Sequence, residues 1–75
     1  MIQQIIYILY EITNDWEIED INDRLVVVGS SSLLSLQFIT LIEEQFEIEI
    51  DNNDITFEFF SDINYVENTV KKYID

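Results

Sequence analysis

Apolar positions along the first dozen residues recur at helical intervals. Isoleucine or leucine stands at positions 2, 5, 6, 9 and 12, which is the three- to four-residue spacing of one helix face. This spacing predicts a first helix over residues 2–13. The next segment, TNDWEIEDINDR, is dense in Asn and Asp and predicts a long loop. We expect Trp16, Ile18, Ile21 and Leu25 to hold that loop on the core.

The stretch LVVV that follows has strand propensity, but no second strand is predicted to pair with it. We therefore interpret it as extended chain. The segment ITFEFF is typical either of a strand or of a short helical turn. The last segment, SDINYVENTVKKYI, predicts a closing helix capped by Ser61 or Asp62. One stripe of that helix carries Ile63, Val66, Val70 and Ile74.

A second main helix is predicted over residues 33–46. At about 100° per residue, one arc of this helix is apolar and predicts the core face: Leu34, Phe38, Ile39, Leu41, Ile42 and Phe46. The opposite arc is polar and acidic: Gln37, Thr40, Glu43, Glu44 and Glu47. The elements together predict a single all-α domain over residues 1–75. This domain is a small four-helix bundle with three main helices, one short helix and a long first loop.

Two leucines fall inside the polar arc of the second main helix. Leu33 and Leu36 are predicted to be exposed there, surrounded by Glu43, Glu44 and Glu47. This arrangement indicates a surface that docks a partner, although isolated exposed leucines are also common on proteins that dock nothing.

Composition narrows the possible functions. The chain has 16 acidic residues, three cations, no cysteine and no histidine, and its net charge is −13. The absence of thiols and imidazoles leaves no ordinary nucleophile–base pair and no Cys or His metal ligand, so we expect neither an enzyme nor a metal site. Three cations are too few to neutralise a nucleic acid backbone. The charge instead favours a partner with a basic surface.

The location of the protein is also an expectation from sequence. The opening run MIQQIIYILYEI is too short and too interrupted to cross a bilayer, and it lacks a basic start and a cleavage site. We therefore expect a soluble, cytoplasmic monomer that does not insert into membranes.

Four serines lie near the start of the second main helix, in GSSSLLSLQ. Ser35 falls in the apolar arc, where we expect it to pack and to bond to the backbone. Ser30 and Ser31 are predicted to lie in the loop. Ser32 stands at the junction, where its hydroxyl is placed to cap the helix. The same junction also suits a phosphate, because unpaired N–H groups and the helix dipole favour an anion.

The order of residues around Ser32 follows a known pattern. Gly29, two further residues, Ser32 and Leu33 precede an amphipathic helix that ends in the acidic stretch EEQF. The segment GSSSLLSLQFITLIEEQFEIEI thus resembles the modification site and recognition helix of acyl and peptidyl carrier proteins. The acidity and the closing helix match as well, so the resemblance covers nearly the whole chain. The sequence departs from the family pattern at Ser31, where Asp or His is usual, and at Asp51, where proline is frequent.

The resemblance implies a carrier function. Ser32 would be esterified to 4′-phosphopantetheine from coenzyme A, and the thiol of that arm would hold an acyl or aminoacyl group as a thioester. The implied partners are a phosphopantetheinyl transferase, a loading adenylation enzyme or ligase, and a condensing or acyl-transfer enzyme. The implied setting is nonribosomal peptide, polyketide or related thiotemplated biosynthesis. The alternative is a non-catalytic acidic helical interaction module with no prosthetic group.

Overall fold

The protein is a small all-α bundle, as predicted. The computed structural model describes residues 1–14 and 17–74. Within these ranges the chain forms four α-helices and no strand. The helices are α1 (Ile2–Ile12), α2 (Ile21–Gly29), α3 (Ser32–Phe46) and α4 (Ile63–Lys71), and the 3-10 turns Asn52–Asp54 and Glu58–Phe60 lie between α3 and α4. The ambiguous segment ITFEFF therefore ends in a helical turn.

The core lies among the four helices: α1 packs against α3 and α4, while α2 packs against all three other helices and against the turn Glu58–Phe60. Its fully buried residues come from every helix: Ile5, Leu9, Leu25, Val28, Phe38, Ile42, Phe59, Val66 and Val70. The rings of Phe38 and Phe59 meet edge to face with their centroids 6.3 Å apart, a favourable aromatic geometry. The stripe predicted for the closing helix is buried at Ile63, Val66 and Val70. The prediction is wrong for its fourth member, because α4 ends at Lys71 and Ile74, which lies beyond it, is 38% exposed.

Helix α2 corrects the prediction of extended chain for LVVV. Asp20 is the N-cap of the helix, and its side chain accepts hydrogen bonds from the backbone N–H groups of Asn22 and Asp23. Leu25 and Val28 are then fully buried. β-Branched residues lower helix propensity by only a few tenths of a kcal/mol each, whereas burying one such side chain contributes about 1.5–3 kcal/mol. Tertiary burial therefore decides the conformation.

The same helix shortens the predicted first loop. Of its four predicted anchors, Leu25 is buried and Ile18 and Ile21 are half-buried, as expected. Trp16 lies outside the described residues.

Arg24 is a buried cation that sequence reasoning did not single out. Only 3% of its surface is exposed. Its guanidinium donates to the carbonyl oxygens of Thr13 at 2.8 Å and of Ile18 at 2.7 Å, and it lies 4.1 Å from the centre of the Tyr10 ring. A planar guanidinium can make all three contacts at once. Arg24 thereby fastens α2 to the end of α1 and to the loop between them.

The start of α4 is capped from two directions. The Asp62 side chain accepts from the Asn64 N–H, which confirms Asp62 as the cap. Asn22 of α2 reaches across and accepts from the Ile63 N–H at 2.8 Å. Ser61, the other candidate, donates to the Glu58 carbonyl instead. The cap thus also joins α2 to α4.

Helices α2 and α3 follow each other closely, with a bend of 113° between them. Within residues 1–14 and 17–74, no single helix combines the length and apolar character of a bilayer crossing, and α2 and α3 reach it only as this bent pair. The bend falls at Ser30 and Ser31, so the serine cluster lies at a corner of the bundle.

Candidate functional site

The first turn of α3 fixes the roles of the serines at this corner. Ser31 has extended backbone angles (φ −113°, ψ 122°), and its Oγ accepts from the Leu34 N–H at 3.2 Å. Ser31 is therefore the N-cap, and Ser32 is the first helical residue. This corrects the prediction that Ser32 caps a helix beginning at residue 33. The capping oxygen that an aspartate would supply at position 31 comes here from a hydroxyl.

The four serine hydroxyls differ in what they bond. Ser30 Oγ donates to the Val27 carbonyl at 2.7 Å, and Ser35 Oγ donates to the Ser32 carbonyl at 3.2 Å. Ser31 Oγ is used by the cap. Ser35 is half-buried and bonds to the backbone, as predicted. The Ser32 side chain is exposed, and its hydroxyl has no hydrogen-bond partner in the part of the chain that the structure describes.

The surroundings of Ser32 fit a phosphate ester. The first backbone N–H groups of a helix have no acceptor within the helix, and in α3 the Leu34 N–H alone is taken by the Ser31 side chain. The first turn of α3 carries no acidic residue. An anion on Ser32 Oγ would therefore lie at the positive end of the helix dipole with no carboxylate in that turn to oppose it.

The predicted faces of α3 are confirmed. Leu33 is 65% exposed and Leu36 is 66% exposed. On the opposite arc, Phe38 and Ile42 are fully buried and Ile39 is nearly so. The helical period thus assigned the two leucines to the surface correctly.

Leu36, Glu43 and Glu44 come together in one open groove. Its second wall is the segment after α3, which contributes Ile48, Glu49 and Ile50. Sequence reasoning missed that wall, although the alternation in EIEI places Ile48 and Ile50 on one side of the extended chain.

The other predicted recognition residues stand apart from this groove. Leu33 and Glu47 are exposed but do not line it. Glu47 ends α3 in the left-handed conformation, with φ 55°. Glu43 is half-buried, and its Oε2 accepts from the Ile50 N–H at 2.8 Å, so this carboxylate also holds the second wall in place.

The cations of the chain do not neutralise this acidic surface. Arg24 is buried between α1 and α2. Lys71 lies 4.0 Å from Glu67, and Lys72 lies 2.8 Å from Asp54. Neither lysine pairs with an acid of α3, so the outer carboxylates of that helix remain available to a basic partner.

Asp54 belongs to a separate cluster at the end of α4. It accepts from Lys72 Nζ and from the Tyr73 hydroxyl, while the Tyr73 oxygen accepts from the Asp51 N–H. The hydrogen bonds from Lys72 and Tyr73 lower the pKa of Asp54, and the bond to Asp54 raises the pKa of both partners. This cluster ties the acidic segment after α3 to the C-terminal helix, which is a structural role.

Comparison of the chain with models of known protein families, with curated proteins and with solved structures gives no significant match. The residues at the corner between α2 and α3 and on the outer face of α3 are therefore the features from which function is inferred.

Proposed function

We propose that this chain is a carrier protein whose Ser32 bears a 4′-phosphopantetheine arm. The observation that carries the proposal is the contrast among the four serines. Three hydroxyls are committed to backbone hydrogen bonds, while that of Ser32 is exposed and free of such bonds within the described residues. The resemblance to acyl and peptidyl carrier proteins assigns the modification to this same serine.

Attachment requires a nucleophilic hydroxyl that a transferase can reach. The Ser32 oxygen forms a bond to the phosphorus beside pantetheine in coenzyme A, and the phosphoanhydride bond breaks. Adenosine 3′,5′-bisphosphate leaves, and the serine proton passes to a base of the transferase. When bound, the arm supplies a thiol that holds an acyl or aminoacyl group as a thioester, and the protein contributes position and recognition.

Recognition is assigned to the outer face of α3. Leu36 provides an exposed apolar contact in the groove, and Glu44 provides charge in the same groove. Such a surface suits weak, transient docking of enzymes with basic surfaces, because charged rims accelerate encounter more than they hold the complex. The proposed partners are a phosphopantetheinyl transferase, an adenylation enzyme or ligase, and a condensing or acyl-transfer enzyme.

The attachment site is tested by labelling with a fluorescent coenzyme A and a promiscuous phosphopantetheinyl transferase. Wild type and Ser35→Ala should take up one label per chain, and Ser32→Ala should take up none. Loss of labelling in Ser35→Ala with retention in Ser32→Ala would overturn the assignment. A wild-type chain that is never labelled would favour the acidic interaction module without an arm.

The docking surface is tested by the salt dependence of the same reaction. Glu44→Lys should slow labelling most at low ionic strength, because screening weakens long-range attraction. Leu36→Ala should slow labelling at every ionic strength, since it removes apolar contact area. Equal rates for both variants and wild type at all salt concentrations would place docking on another surface.

A further inference from the structure

The second wall of the groove on α3 is held by hydrogen bonds to two parts of the bundle. Glu43 of α3 accepts twice: its backbone carbonyl accepts from the Ile48 N–H at 3.1 Å, and its carboxylate Oε2 accepts from the Ile50 N–H at 2.8 Å. The next N–H along the chain, that of Asp51, donates to the Tyr73 hydroxyl at 3.1 Å. Tyr73 follows the end of α4. Two consecutive N–H groups of this segment are therefore bound by side chains from α3 and from the C-terminal end of the bundle.

The second wall has no regular secondary structure to hold it. Its residues belong to neither a helix nor a strand, so their backbone N–H groups need partners of another kind. Ile50 is 5% exposed and belongs to the core, which fixes one end of the wall. Ile48 and the exposed Glu49 line the groove beside it. The positions of one apolar and one acidic side chain in the groove thus depend on the bonds to Glu43 and Tyr73.

The two adjacent carboxylates of α3 that line this groove have different surroundings. Glu43 is half-buried and bonds to the wall, whereas Glu44 is exposed and its carboxylate accepts no hydrogen bond from the described residues. An amide oxygen can accept the same N–H as a carboxylate oxygen, so the bond made by Glu43 does not require its charge. Charge is what Glu44 presents to a basic partner. The geometry therefore separates shape at position 43 from charge at position 44.

We propose that Glu43 and Tyr73 are positioning residues for the docking of a basic partner enzyme. Each holds one backbone N–H of the second wall, so that the wall and Leu36 form the groove before the partner arrives. A preformed groove favours docking because fewer groups lose conformational freedom on association. Tyr73 does not line the groove, so its effect on docking passes through the Asp51 N–H. The inference rests on the proposed carrier function and on docking in this groove.

Paired substitutions separate shape from charge in the labelling reaction. Gln and Met both remove the charge of a glutamate and have similar lengths, but only Gln keeps an oxygen that accepts readily from an N–H. The set consists of Glu43→Gln, Glu43→Met, Glu44→Gln and Glu44→Met. The measurement is the kcat and KM of a promiscuous phosphopantetheinyl transferase with each chain as the substrate, at low and at high ionic strength.

The two pairs should differ in their KM values. Glu43→Met should have a KM roughly fivefold above that of Glu43→Gln at every ionic strength, as the loss of one hydrogen bond would give, with kcat little changed. Glu44→Gln and Glu44→Met should share one KM, which exceeds that of wild type at low ionic strength and converges on it as salt is added. Equal KM values for the two variants of Glu43 would overturn the positioning role while leaving the carrier function standing. A wild-type chain that is never labelled would overturn both.

Tyr73→Phe tests the second contact from outside the groove. It removes the hydroxyl that accepts from the Asp51 N–H, so it should raise KM at every ionic strength. Tyr65→Phe is the matched control, because it makes the same change at an exposed tyrosine of α4 that does not line the groove, and it should leave KM unchanged. Equal KM values for these two variants would overturn the role of Tyr73.

Amide hydrogen exchange of the unmodified proteins distinguishes a displaced wall from an unfolded chain. Exchange at the Ile50 amide should be faster in Glu43→Met than in Glu43→Gln, and exchange at the Asp51 amide should be faster in Tyr73→Phe than in wild type. The Ile42 amide within α3 should stay protected in all of them. Unchanged exchange at both wall amides would overturn the proposal, because the side chains would then not hold the wall.

Discussion

Phe60 packs directly against the α-carbon of Gly29. A β-carbon added at position 29 would lie 2.5 Å from Phe60 Cβ and 2.7 Å from Phe60 Cγ. The φ angle of Gly29 is not positive, so the position needs glycine for close approach and not for an unusual backbone conformation. The contact joins the end of α2 to the turn Glu58–Phe60. It gives a physical reason for the glycine that precedes Ser32 in this chain.

Gly29→Ala should destabilise the fold. Alanine gains about 1 kcal/mol of helix propensity over glycine, but overpacking typically costs about 1–3 kcal/mol. The nearest atom is Phe60 Cβ, which is close to the backbone and cannot swing away, so we expect the clash to exceed the gain. Urea unfolding at neutral pH measures the difference. A variant more stable than wild type would show that Phe60 does not sit against Gly29.

The parts of the fold that follow one helical period were predictable, and those that depend on tertiary contacts were not. The exposed and buried faces of α3 were predicted from the helical spacing of its apolar residues, because the apolar arc of a helix packs against the core. Helix α2 was missed because its three valines favour extended chain locally. The burial of Leu25 and the Asp20 cap make it helical. Composition shows that the chain has few cations, but it could not predict that Arg24 would be buried and bound to the Thr13 carbonyl, because that is a tertiary contact.

The serine cluster shows a second limit of prediction from the sequence. Sequence alone placed the start of α3 one residue late, because Ser31 and Ser32 have the same capping chemistry and differ only in backbone angles.

Because Ser31 is the N-cap of α3, Ser31→Ala should lower the free energy of unfolding by about 1 kcal/mol, as the loss of an N-cap does. Ser32→Ala should change it by less than about 0.5 kcal/mol, because an exposed first-turn side chain without a bond contributes little. Ser31→Asp should be at least as stable as wild type. If thermal unfolding showed Ser32→Ala to be less stable than Ser31→Ala, Ser32 and not Ser31 would be the N-cap.

Alanine substitutions at Leu36 and Phe38 should distinguish the exposed face of α3 from its buried face. Leu36 is 66% exposed, so Leu36→Ala should change the free energy of unfolding by less than about 1 kcal/mol. Phe38 is fully buried among the aromatic rings, so Phe38→Ala should cost about 3–5 kcal/mol. Circular dichroism during urea unfolding measures both. If Leu36→Ala unfolded under conditions where Phe38→Ala stays folded, Leu36 would belong to the core and Phe38 to the surface, contrary to this assignment.

The Asp54 cluster predicts a specific acid dependence. The hydrogen bonds from Lys72 and Tyr73 lower the pKa of Asp54 from its ordinary 3.8, so the unfolded chain takes up this proton before the folded chain does. The resulting stabilisation is fully present above the unfolded pKa and is lost as the pH falls through the folded pKa. The stability difference between wild type and Asp54→Asn should thus be constant above about pH 5 and shrink progressively as the pH falls further.

Lys72→Met is the control for this acid dependence. It removes the first cause of the lowered pKa of Asp54 and should reduce the pH-dependent part of the difference. A difference between wild type and Asp54→Asn that grows towards low pH would contradict the direction of the pKa shift.

The central claim is that Ser32 alone among the serines of this corner accepts a prosthetic group. The most direct measurement is the intact mass of each protein after co-expression with a promiscuous phosphopantetheinyl transferase, followed by peptide mapping. Wild type, Ser31→Ala and Ser35→Ala should each gain the mass of one 4′-phosphopantetheine, located on the peptide at Ser32. Ser32→Ala should fold normally and gain nothing. An unmodified wild-type chain, or a modified Ser32→Ala chain, would contradict the account.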